Sequence, residues 1–77
     1  IFGPFDIVVA NILSQPLKVL APALARLVRP KGSLLLSGIL ARQAEEILEA
    51  YRPSVQHLNP LGVLQEREGW VCIGTRE

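Results

Sequence analysis

The chain has 77 residues, one cysteine, no methionine and a formal net charge of +1, with eight Lys and Arg against seven Asp and Glu. So even a balance gives none of the basic footprint that nucleic acid or an anionic membrane surface attracts, and nucleic acid is not expected as a partner. No run approaches the ~18–20 apolar residues of a spanning helix, and Pro4 and Asp6 stand where a leader would need its basic and apolar regions, so no membrane partner is expected either.

Because it begins at Ile1 and lacks methionine, the sequence is expected to be a piece of a longer protein. Its own core would be marginal, since a domain of about 60 residues buries only roughly 60% of the surface of its unfolded chain. Cys72 can form neither an internal disulfide nor a metal site alone, and in the run Trp70-Val71-Cys72-Ile73 it reads as a small core residue. No metal is expected. A reducing cytoplasm is the default compartment.

Phe5 to Ala10, entered through Gly3-Pro4, is an apolar and β-branched run that is too short for a helix and apolar on both sides. It predicts a parallel strand covered on both faces. From Leu17 the apolar positions 17, 20, 21, 24, 27 and 28 make a helical stripe interrupted by Pro22. An interior proline costs about 3 kcal/mol, so the pattern predicts a short helical turn near Pro16 to Leu20 and then a second helix that uses Pro22 in its first turn. Ser14 is a good candidate for the N-cap of the first. Arg29-Pro30-Lys31-Gly32 is expected to close the second helix with a cation and a turn.

Ser33 to Ser37, with its Leu34-Leu35-Leu36 triplet, predicts a second buried strand ended by Gly38. Ala44, Ile47, Leu48 and Tyr51 form another helical stripe, with Arg42 in range of Glu45 or Glu46 on the wet side and Pro53 as a stop. His57 to Gly62 reads as an irregular connection. Val63 to Arg67 and Trp70 to Thr75, separated by Glu68-Gly69, predict an antiparallel hairpin, with Trp70 expected in the core. The order β-α-β-α-β-β is that of an α/β protein, the second half of a doubly wound, Rossmann-like sheet that ends in a hairpin. The glycine-rich phosphate-cradling G-x-G-x-x-G does not occur.

In such sheets ligands bind beyond the carboxyl ends of the strands. Asn11 and Ile12 stand at the first such end, Ser37 and Gly38 at the second. The Asn11 amide both accepts and donates without carrying charge, which suits orienting a nitrogen nucleophile; equally, it suits a simple turn. Ser37 and Gly38 would line the substrate side of the same crevice, or simply turn the chain. Asp6 lies at the far end of its strand and His57 outside the strand ends, so neither is assigned chemistry.

Phe5-Asp6-Ile7-Val8-Val9-Ala10-Asn11-Ile12-Leu13, with Pro16-Leu17, Leu36-Ser37-Gly38-Ile39-Leu40 and Glu68-Gly69-Trp70-Val71, resembles the carboxyl-terminal part of the PrmA family, the ribosomal protein L11 methyltransferases. The resemblance implies the class I methyltransferase fold, with residues 1–77 as the half that lacks the glycine-rich cofactor loop. It implies S-adenosylmethionine as cofactor, and ribosomal protein L11 as the partner methylated on lysine side chains and its N-terminal amine. Asn11 corresponds to the polar residue that opens the fourth-strand motif of amine methyltransferases. There it would orient the amine and face the cofactor, with the Ile12 backbone carbonyl as second acceptor. Asn11-Ile12-Leu13-Ser14 lacks the prolines and the aromatic residue of that motif, which argues against planar substrates. The alternative is a non-catalytic α/β module that binds a partner. As a fragment of such an enzyme the isolated chain is expected to be inactive, and to self-associate through its first strand or remain partly unfolded.

Overall fold

A computed structural model describes residues 4–76; Gly3, read above as part of the first strand's entry, lies outside the described residues. Four strands form one mixed sheet in the order β1-β2-β4-β3, built from β1 (Phe5–Asn11), β2 (Val28–Leu40), β3 (Leu61–Arg67) and β4 (Trp70–Thr75). β1 and β2 are parallel and are joined through α1 (Ser14–Val19) and α2 (Ala21–Arg26); α3 (Ala44–Tyr51) connects β2 to the hairpin. β4 runs antiparallel to both β2 and β3, so the hairpin folds back and its second strand takes the inner place.

The expected break in the first helical stripe is present. Pro22 sits at the start of α2, where its missing N–H costs nothing, and Leu20 joins the two short helices. Ser14 does not cap α1. The helix begins on Ser14 itself, which is buried, and Leu13 occupies the cap position without a side-chain bond. Arg42 does not pair with Glu45 or Glu46; instead the Lys18 ammonium reaches Glu46 at 3.0 Å and ties α1 to α3. A second tie is buried: the Tyr51 hydroxyl donates to the Leu17 carbonyl at 2.7 Å. That carbonyl belongs to the last turn of α1, where no intrahelical N–H is available.

The second strand is longer than expected at both ends. Val28 already pairs with Phe5, so Arg29 to Gly32 form an irregular insertion within β2, with Lys31 at φ 65 and its N–H bonded to the His57 carbonyl at 3.1 Å. Gly38 does not end the strand. It takes φ 78, the pairing with β4 shifts between Leu36 and Ile39, and the chain rejoins the ladder so that Ile39 is fully buried. Burial of an isoleucine, worth about 1.5–3 kcal/mol, outweighs the tendency of glycine to break the run.

One face of the sheet carries the core. Ala10, Leu34, Leu36, Ile39, Val71 and Ile73 meet Leu17, Ala21, Ala25, Ile47 and Tyr51 from the helices. The other face is not covered by the described residues: Ile7 is 66% and Val9 61% exposed, with Phe5 and Leu64 also open. Within these residues the first strand is covered on one face only, because α1, α2 and α3 pack on the same side. β1 is also an edge strand.

Candidate functional site

Parallel pairing sets the carboxyl end of β1 against the bulge inside β2, with Asn11 directly beside Ser37 in the register. This pairing thus brings all four sequence-selected residues to one place. Asn11 is exposed, while Ile12, Ser37 and Gly38 are half-buried.

The closest approach within this group involves Gly38. A Cβ placed on it would lie 2.6 Å from Asn11 Oδ1 and 3.6 Å from the Ile12 carbonyl oxygen. Two uncharged acceptors from the end of β1 therefore border the space where a Gly38 side chain would begin. The extra residue that shifts the register at this point makes the approach possible, since a glycine in the left-handed region is what such a bulge uses to bend a strand.

Two shallow hollows of about 290 and 300 Å³ flank Gly38. One is lined by Ser37, Gln65, Arg67 and Cys72, the other by Leu13, Ser14, Pro16 and Gln43. Trp70 lines both, and it is the residue that sequence reasoning missed. Expected in the core, it is 51% exposed. The signal was its place directly after the two-residue turn Glu68-Gly69, which puts it at the tip of the sheet against Leu40 and Arg67, past the cover of the helices. Cys72, on the strand position that faces away from the helices, is half-buried and free.

A hollow of about 380 Å³ lies elsewhere, between α3 and the start of β3, at the opposite end of the sheet from Asn11. It is mostly apolar, and Arg52, its charged residue, pairs with Glu49. His57 is exposed, with Nε2 3.0 Å from the carbonyl oxygens of both Ala25 and Val28, so it tidies the end of α2 and the start of β2. Asp6 pairs with Arg29 at 3.0 Å on the surface. Among the described residues no three His, Cys, Asp or Glu side chains come together as a metal site, and no helix is long and apolar enough to cross a membrane.

Residues 2–77 match the sequence model of a family described as ribosomal protein L11 methyltransferase (PrmA). The chain belongs to the PrmA family. Among PrmA relatives, the ribosomal protein L11 methyltransferase of Paraburkholderia phymatum is 56% identical over 75 residues, covering 96% of this chain and 24% of the relative. That of Bordetella parapertussis is 56% identical over 71 residues, covering 92% of this chain and 22% of the relative. This chain thus spans about a quarter of the length of these PrmA relatives. Its fold is similar to a crystal structure of ribosomal protein L11 methylase from Lactobacillus delbrueckii subsp. bulgaricus, with a TM-score of 0.75 and 27% identity over 94% of this chain and 36% of that one.

Proposed function

We propose that the protein containing this chain transfers methyl groups from S-adenosylmethionine to amines of ribosomal protein L11, on lysine side chains and the N-terminus. In this reading the four strands are the second half of a doubly wound, Rossmann-like methyltransferase sheet, and residues 1–77 supply the substrate side of its crevice. The protein acts in the cytoplasm, where such a substrate resides.

The observation that carries the reading is that Asn11 Oδ1 and the Ile12 carbonyl stand together at the carboxyl end of β1, next to the Gly38 bulge of the adjacent parallel strand, in a chain of this family. S-adenosylmethionine, when bound, supplies a methyl group on a sulfonium for in-line attack by an amine nitrogen. The donor set fits the acceptor of that methyl. Asn11 Oδ1 and the Ile12 carbonyl accept the N–H bonds of a neutral amine and aim its lone pair, and neither carries a charge that would hold the amine protonated. Holding the nitrogen in line supplies much of the rate in such a transfer. Asn11 is also the residue of this chain that would face the cofactor. Ser37 and Gly38 border the substrate, and the exposed Trp70 ring gives an apolar wall for the methylene stem of a lysine.

The test uses the complete parent protein, labelled S-adenosylmethionine and ribosomal protein L11. Asn11→Ala should lower methyl transfer about 10²-fold while cofactor binding, read by calorimetry, stays within twofold. Equal losses of transfer and binding would mean that Asn11 shapes the cofactor pocket instead, and wild-type transfer in the variant would remove it from the site.

A further inference from the structure

We propose that Gly38 is a positioning residue: its missing Cβ leaves the Asn11 amide oxygen free to sit over the β2 backbone, beside the Ile12 carbonyl, and so sets the direction of that amide. The inference rests on the reading of Asn11 given above and adds a residue that acts through it.

The geometry is specific. The atom nearest to where a Cβ would stand on Gly38 is Asn11 Oδ1 at 2.6 Å, a separation that real Cβ atoms do not tolerate, followed by the Ile12 carbonyl oxygen at 3.6 Å and Asn11 Cγ at 3.8 Å. The side-chain oxygen of Asn11 therefore fills the space where a Gly38 Cβ would stand, with the carbonyl oxygen of the next residue nearby. With a methyl group there, Oδ1 would have to retreat by about 0.8 Å to regain ordinary contact. Asn11 is exposed, so nothing on its outer side opposes that retreat, and the amide would swing away from its place beside the Ile12 carbonyl.

Two separate constraints thus select glycine at this position. The first is the backbone, at φ 78, which disfavours any L side chain and acts on stability. The second is the Asn11 contact, which acts on the direction of a hydrogen bond and hence on rate. Displacement of a reacting group by about 1 Å can cost roughly 10²-fold in rate, so the second constraint predicts a catalytic loss out of proportion to any loss of fold.

The experiment is a double-mutant cycle in the complete parent protein, comparing Asn11→Ala, Gly38→Ala and the pair. Methyl transfer to ribosomal protein L11 is resolved into kcat and KM, and S-adenosylmethionine binding is read by calorimetry. Gly38→Ala should lower kcat between ~10- and ~100-fold, with KM and cofactor affinity within twofold, and should lower kcat no further once Asn11 is alanine. Should Gly38→Ala not fold, Gly38→Asn carries the same Cβ on a residue that tolerates positive φ, and the same loss is expected. A wild-type kcat in either folded variant overturns the inference, as does a loss that multiplies with that of Asn11→Ala, or one accompanied by an equal loss of cofactor binding. If Asn11→Ala itself transfers at the wild-type rate, the reading of Asn11 falls and the inference falls with it. A collapse in Asn11→Ala beside an unaffected Gly38→Ala overturns the inference alone.

Discussion

Replacing Tyr51 with phenylalanine should weaken the fold by about 2 kcal/mol without changing its shape. The ring is 0% exposed and Phe keeps it, so no cavity larger than one oxygen is made. What is lost is the 2.7 Å bond to the Leu17 carbonyl, which is left buried at the end of α1. A buried acceptor without a partner costs about 1–3 kcal/mol. The phenol also gives the bond a pH signature, because burial pushes the Tyr51 pKa up from 10.0 to about 12. The unfolded chain then gives up its proton first, so the contribution is fully present below pH 10 and is lost as pH rises through 12, at about 1.4 kcal/mol per pH unit. Urea unfolding of the domain at pH 8 and at steps above 10, for wild type and Tyr51→Phe, measures both quantities. A variant as stable as wild type at pH 8, or one that keeps the wild-type alkaline slope, would refute the assignment of this bond.

The chain on its own should self-associate, because β1 is an edge strand and Ile7 and Val9 lie on an uncovered apolar face. Sedimentation velocity tests this, and a monomer with a single cooperative calorimetric melt would be the contrary result. In the hairpin turn, Glu68 at φ 53 precedes Gly69 at φ 84, a geometry that favours Asn-Gly. Glu68→Asn should raise the unfolding free energy by up to about 1 kcal/mol, and a lower urea midpoint would count against the turn as described.

What the sequence made legible follows the strength of local signals. The Pro22 break, the α3 stripe and the hairpin each rest on chemistry within a few residues, and each is present. The ends of β2 were not readable, since a turn-forming Lys31-Gly32 and a strand-ending Gly38 look the same whether the chain leaves the sheet or bulges and returns; only pairing with β1 and β4 decides. Trp70 was misread for a related reason, because its apolar neighbours say strand but not how far the helices reach. At the candidate site, strand ends picked out Asn11, Ile12, Ser37 and Gly38 as neighbours. The approach of Asn11 Oδ1 to the space beside Gly38 was beyond reach, because it depends on the register shift between β2 and β4.

That register shift also ties the site to a distant segment of the chain. Leu36 meets Ile73 and Ile39 meets Val71, partners more than thirty positions away along the chain, and Ser37-Gly38 bulges only because both pairings hold at once. Pairing of β1 with β2 alone can bring Asn11 beside Ser37, but it leaves the backbone of Gly38 unfixed. β4, none of whose residues belongs to the pair of acceptors, therefore aims them at a distance: without its pairing to Leu36 and Ile39 the crevice has an amide but no fixed direction for it.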